Sequence, residues 1–160
     1  MIDMTTLQNT VVTGLSDYLE VSVICAHQTG EAPARPYVSY TVTNLINENK
    51  ETWGRYDDGK IRKPLTQTWA VTIWADNIQQ AMELAIRAYD WLDFAGRIYL
   101  GDHHVIVKSV TKVSNLDTEA GTDGYRYGFD VVFQVTSELE NDAVQTGIIE
   151  TAEITYENNK

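Results

Sequence analysis

The chain has 160 residues, a length that fits one domain, with or without extensions, and suffices to bury a sizeable core. Its net charge of −11 argues against a dedicated nucleic-acid binder, which needs a basic footprint. The lone cysteine, Cys25, excludes an intrachain disulfide and any paired-cysteine metal site. No apolar run reaches membrane-spanning length, and Met1–Thr6 lacks the basic start and apolar block of a signal peptide. A soluble protein made inside a cell is expected.

Residues 5–20 carry a first amphipathic helix. Leu7, Val11, Leu15, Tyr18 and Leu19 share one face, and Thr5 or Thr6 stands where a cap belongs. Gly14 interrupts it at a cost of about 1 kcal/mol in helix propensity. Val21–Cys25 is a short β-branched run and predicts a strand. Residues 26–36, with Gly30, Pro33 and Pro36, predict a loop. Tyr37–Leu45 alternates, with Val38, Tyr40 and Val42 on one face and Ser39, Thr41 and Thr43 on the other.

Residues 46–64 are polar and less regular, and 48–64 within them are expected to form an arm. Asp57-Asp58-Gly59-Lys60 is a hairpin signal, since Asp-Gly suits the positive-φ positions of a type I′ turn. Trp53 and Tyr56 before it and Ile61 after it predict a two-stranded arm. Arg55, Lys60, Arg62 and Lys63 make this arm the basic cluster of the chain. It is expected to project and reach an acidic protein surface in preference to DNA. The plainer alternative is a hairpin whose charges are solvated.

The centre of the chain is residues 65–96, where the period changes. From Thr68 to Ala75 residues alternate, with Trp69, Val71 and Ile73 on one face. Asp76 is placed to cap a helix. From Asn77 onward Ile78, Ala81, Met82, Ala85, Ala88, Tyr89 and Leu92 recur at helical spacing, and Gly96 closes the helix. Trp74 has the opposite parity to Trp69 and Ile73, which places it on the second sheet face or at an interface. Leu84, Ala88, Trp91 and Ala95 form a second apolar stripe, so Leu84 or Trp91 is expected to meet a second surface, with Trp91 placed at a subunit interface.

Beyond Gly96, Arg97–Leu100 and residues 104–114 read as strand with a bulge or tight hairpin, because Ile98, Leu100, Val105, Val107 and Val110 do not keep one parity. Residues 115–124 read as an acidic loop. Tyr125–Thr136 alternates through Tyr127, Phe129, Val131, Phe133 and Val135. From Ser137 the composition changes to six acids against Lys160 alone. Ile148, Ile149, Ile154 and Tyr156 lie within that extension, so it has apolar surface to bury. It is expected to order on a sheet edge or on a neighbouring subunit.

The fold class expected is α+β: a mainly antiparallel sheet of about four long strands, at 37–45, 67–75, 104–114 and 125–136. Helices 5–20 and 77–95 should pack on it. The domain is placed at residues 1–137, with the arm at 48–64 inside it and an acidic extension at 138–160. No catalytic set emerges. His103 and His104, read as neighbours on a strand, point to opposite faces and cannot hold one metal together. No phosphate-cradling glycine loop precedes a helix. No cofactor is expected.

Three segments, taken in order, resemble the neck or tail-terminator proteins of tailed bacteriophages. They are Arg35-Pro36-Tyr37-Val38-Ser39-Tyr40; Gln67-Thr68-Trp69-Ala70-Val71-Thr72-Ile73-Trp74-Ala75 with the helix that follows; and Asn115-Leu116-Asp117 with Tyr125-Arg126-Tyr127-Gly128-Phe129-Asp130-Val131. The resemblance covers roughly residues 5–137. It implies a structural, non-enzymatic virion protein, made in the host bacterial cytoplasm. It further implies a ring, usually six-fold, that ends the tail tube and joins it to the connector proteins below the head. DNA passes its lumen without specific binding. The competing readings are an enzyme or small-ligand domain of the same build, and a monomeric soluble adaptor.

Overall fold

The computed structural model describes residues 1–48, 51–117 and 125–140. The chain is α+β, with, among the described residues, three α-helices and a mixed, mostly antiparallel seven-stranded sheet. It divides into two compact units. The larger is Asp3–Asn49 with Leu65–Val135; the smaller is Met1–Ile2, Lys50–Pro64 and Thr136–Lys160.

In the larger unit, helix α1 runs Met4–Leu19. Its cap is Asp3, two or three residues earlier than Thr5 or Thr6: the carboxylate accepts from the Thr6 amide at 3.1 Å and the Thr6 hydroxyl at 2.6 Å. Strand β1 (Ser22–Cys25) pairs parallel with β2 (Tyr37–Asn44). β2 pairs antiparallel with β4 (Lys60–Ala75), Tyr37 opposite Trp74 and Tyr40 opposite Val71. The sheet order is β1-β2-β4-β7-β5, with β5 at Ile106–Val110 and β7 at Tyr125–Glu140. The short strands β3 (Gly54–Arg55) and β6 (Ser114–Asn115) pair with β4 and β7.

Four long strands were expected, and the lengths differ from that. β4 and β7 have 16 residues each, whereas β5 has only five. The parity break in that region is real: the β5–β7 register shifts between Val107 and Ser109.

The long central helix is three pieces. Helix α2 is Ile78–Asp90, a π-helical turn follows at Trp91–Ala95, and α3 is Arg97–Asp102. Asn77, not Asp76, caps α2 by accepting from the Gln80 amide at 2.8 Å. Gly96 does not end the helix: its φ of −87° and ψ of −3° are right-handed, and the chain runs on into α3. Residues 97–102 are therefore helical where a strand at 97–100 and a break at Gly101-Asp102 were expected. His103 and His104 lie just past α3, not on a strand.

One sheet face carries the core. Val11 and Leu15 of α1, Val23, Val38, Tyr40, Trp69, Val71, Leu92, Val131 and Phe133 converge on one small internal pocket. That set joins the first helix, the π-turn and four strands in a single apolar layer. Leu84 and Trp91 are buried with it. Trp91 is 5% exposed, its indole lying against Gly14, Gly96 and Tyr99. Leu84, Ala88 and Trp91 of the second apolar stripe are thus satisfied inside the chain, only Ala95 being exposed, and Trp91 has almost no surface to offer a neighbour.

Candidate functional site

The opposite face of the larger unit's sheet is built around Trp74. Its parity on β4 turns it away from Trp69 and Ile73, and it is half-buried. Tyr37, its register partner on β2, stacks on it with centroids 5.8 Å apart and planes 11° from parallel. The indole N–H donates to the Ser39 hydroxyl at 3.0 Å. The Arg35 guanidinium lies 5.9 Å and the Arg126 guanidinium 5.2 Å from the indole centroid. Each cation has a carboxylate: Arg35 faces Asp76 at 3.6 Å and Arg126 holds Asp117 at 2.9 Å.

This row brings together segments that the sequence keeps far apart. Asn115–Asp117 and Tyr125–Gly128 form one clasp. Leu116 N–H donates to the Arg126 carbonyl at 3.0 Å, and the Asn115 side chain accepts from the Asp117 amide at 2.8 Å. The Asp117 carboxylate accepts from both the Arg126 amide and its Nε. A Cβ on Gly128 would fall 2.7 Å from Leu116 Cδ1 and 3.1 Å from the Val71 carbonyl oxygen, so glycine here lets that leucine lie close over the strand. Hydrogen bonds to a charged group contribute about 1.5–3 kcal/mol each. Asp117→Ala is therefore expected to destabilise by roughly 2 kcal/mol and to free the Arg126 side chain. Urea denaturation and the Arg126 Nε resonance would read both effects; an unchanged midpoint would mean that the clasp carries no stability.

In the smaller unit, β3 and the start of β4 form the expected arm. Its turn is not type I′. Gly59 has φ +78°, but Asp58 is not among the positive-φ residues. Gly59 N–H donates to the Tyr56 carbonyl at 3.2 Å and Tyr56 N–H to the Lys60 carbonyl at 3.0 Å, which is a three-residue loop with glycine at the left-handed position.

The arm has two faces of different character. On one, Lys60 Nζ lies 2.6 Å from Glu138 Oε1 and Arg62 Nε 2.8 Å from Glu138 Oε2. Arg62 also holds Asp58 and lies 4.9 Å from the Tyr56 ring centroid. Lys60 and Arg62 are thus committed within the unit, not free for a partner. On the other face, Arg55 stands opposite Ile61 in the β3–β4 register, and Lys63 is two residues beyond Ile61. Ile61 itself is buried, and Trp53, just before β3, is 43% exposed. Among the described residues Arg55 and Lys63 form no ion pair.

The first of these faces responds to pH in a defined direction. Hydrogen bonds from Lys60 and then Arg62 hold the Glu138 carboxyl below its ordinary range, and the bond from Arg62 does the same for Asp58. A carboxyl lowered by folding contributes stability above its unfolded pKa of about 4 and loses it as pH falls through the lowered value. The arm should therefore be constant from neutral pH down to about 5 and loosen only in stronger acid. Amide exchange at Gly54 and Gly59 across that range would show it; loosening already at pH 6 would contradict the assignment.

Of the sequence-predicted site residues, Trp53, Arg55, Tyr56, Lys60, Arg62 and Lys63 share the arm, Trp74 centres the outer sheet face, and Trp91 is core. Ile148, Ile149, Ile154 and Tyr156 lie outside the described residues, so no position is assigned to them. Sequence reasoning passed over Arg35, Arg126 and Asp117, although all three stand in segments with distinctive order. It also passed over Phe94 and Ile98, which are 81% and 80% exposed. Their signal was an apolar residue outside both stripes. Among the described residues no group of three or more metal-ligating side chains converges.

No curated protein sequence matches the chain. A chain from a solved structure titled "Virion of native gene transfer agent (GTA) particle" aligns over 83% of this chain and 95% of its own length, at 15% identity and a TM-score of 0.39. Residues 9–160 match the family described as "Phage neck terminator protein", and the chain belongs to that family.

Proposed function

We propose that this phage neck protein is the subunit of a homo-oligomeric ring, six-fold in symmetry. The ring ends the tail tube and joins it to the head-completion proteins of the connector. Family membership across residues 9–160 carries the reading. Physical features support it. A net charge of −11 suits a lumen through which DNA slides without adhering. Phe94 and Ile98, four residues apart and both largely exposed, are costly on a monomer surface and useful in a contact between subunits. The arm residues Trp53, Arg55, Tyr56 and Lys63, with Trp74 and the apolar residues of the extension, complete the proposed contact set. The protein's place is the virion neck, and its role there is structural.

Light scattering after size separation, with electron microscopy of the same fractions, tests the ring. Particles with a central channel and a mass of six chains are expected. A monomer at every concentration, and also in the presence of tail-tube protein, would overturn the reading. The Phe94→Asp, Ile98→Asp double variant is expected to lower ring yield at least tenfold while the monomer keeps its melting temperature, because both side chains already face water. A fall in melting temperature equal to that of a core variant would instead make the pair part of the fold.

A further inference from the structure

We infer that the helical ridge carrying Phe94 and Ile98 seats in a groove on the opposite sheet face of a second copy of this chain; the inference rests on the ring reading. The ridge is regular. Ile86, Asp90, Phe94, Ile98 and Asp102 follow at every fourth residue through α2, the π-turn and α3, and all five are exposed. That spacing forms one row on a helix surface, and the wider π-turn keeps the row from drifting round the axis. Leu84, Leu92 and Leu100 are buried, so the helices meet the core on their inner side and hold the row outward.

The groove lies on the far side of the same unit. Ala70 and Thr72 share the parity of Trp74 on β4, and Gly128 shares that of Arg126 on β7. With Leu116, 39% exposed, they line an open, mainly apolar groove of about 390 Å³, with room for a phenylalanine and an isoleucine side chain. Its lining also carries Lys112 and Asp130. Among the described residues Lys112 forms no ion pair, and neither do Asp90 and Asp102, the acids that flank Phe94 and Ile98 along the row. The lysine of the groove thus complements the acids of the ridge, and Asp130 complements Arg97 beside Ile98. Because ridge and groove face opposite ways, no chain fills its own groove, and the contact is heterologous, the kind that closes a ring. The sheet edges do not compete. β5 has a register shift at the exposed Lys108, and β1 has only four residues; a bulge, a lysine and shortness each discourage strand addition.

The test mixes two variants of the full chain. Ala70→Tyr with Thr72→Tyr fills the groove from a strand position that suits aromatic residues; Phe94→Asp with Ile98→Asp removes the ridge. Each variant alone is expected to lower ring yield at least tenfold. Mixed, they retain one intact groove and one intact ridge, so light scattering should show dimers and no rings. A second measurement stands even if the filled groove unfolds the chain. In a Cys25→Ser background, chains bearing Ile98→Cys and chains bearing Leu116→Cys should form a disulfide with each other at least tenfold faster than either forms with itself. Full ring yield from the groove-filled variant would overturn the inference, and loss of tail-tube protein from those rings would assign the groove to that partner instead. Faster coupling of Ile98→Cys chains to one another would mean ridge against ridge, and would overturn it too. If wild-type protein forms no ring, sizing of that sample alone shows it, and the ring reading falls together with this one; wild-type rings beside a fully assembling groove variant overturn this inference alone.

Discussion

Trp69→Ala is expected to cost about 3–5 kcal/mol of unfolding free energy, a large part of the roughly 5–15 kcal/mol that keeps a domain folded. Trp69 is 1% exposed at the middle of β4. Its ring stacks on Tyr40 with centroids 4.9 Å apart and meets the edge of Phe133 at 5.1 Å. It also satisfies a polar neighbour that has no access to water. Gln67 is fully buried, and its Oε1 accepts from the Trp69 indole N–H at 3.1 Å. Truncation at Trp69 therefore leaves a cavity and an unmatched amide together. The two contributions separate by substitution. Trp69→Phe keeps most of the ring but orphans Gln67 Oε1, for an expected loss of about 1–3 kcal/mol. Adding Gln67→Leu to that variant removes the orphan and should recover part of the loss. Urea denaturation followed by circular dichroism measures all three. A loss below about 1 kcal/mol for Trp69→Ala, the average for any substitution, would show that this cluster is not the core.

The parts of the fold legible in the sequence are those with one clean period. Tyr37–Leu45 was expected as strand and is strand to Asn44; the change from alternation to helical spacing after Ala75 marks the end of β4 and the start of α2. Where the period breaks, the reading failed for an identifiable reason. The Gly96 amide donates five residues back to the Trp91 carbonyl at 2.7 Å, a π-turn that inserts extra rotation into the helix. Past it, Leu100 is buried and Ile98 is exposed, a pattern that a strand of mixed parity imitates. The caps were displaced by two or three residues at α1 and by one at α2, because Asp3 and Asn77 compete with equally good neighbours.

The candidate surfaces were legible by composition and not by pairing. A basic cluster at residues 55–63 is visible in the sequence, yet which of its cations remain free is decided by Glu138, far along the chain. Arg35 comes from the loop before β2, Trp74 from β4 and Arg126 from β7, and no local pattern announces that they meet. Long-range pairing of this kind follows from sheet order, and the sheet order is set by the whole core.

Gly14→Ala should be destabilising, opposite in sign to the usual effect of that change inside a helix. Replacing an exposed mid-helix glycine by alanine ordinarily gains about 1 kcal/mol in propensity. A Cβ on Gly14, however, would lie 2.4 Å from Tyr99 Cε1 and 2.7 Å from Trp91 Cζ2. Tyr99 is tethered, its hydroxyl donating to the Thr10 carbonyl at 3.0 Å, so it cannot simply swing aside. Trp91 is confined from the other side as well, since a Cβ on Gly96 would lie 2.4 Å from its Cε2. The indole is thus held between two glycines, one on α1 and one before α3. Forcing carbon into such a contact costs about 1–3 kcal/mol, enough to cancel the propensity gain and leave a net loss of about 1 kcal/mol. Gly101→Ala is the matched control, because a Cβ there meets nothing within 4 Å. It should gain about 0.5–1 kcal/mol. Trp91→Phe shortens the ring, so the Gly14→Ala, Trp91→Phe pair should cost less than the sum of its parts by at least about 0.5 kcal/mol. Denaturation of the four variants decides the matter: stabilisation by Gly14→Ala equal to that by Gly101→Ala would mean that α1 does not approach Trp91 as closely as this packing requires.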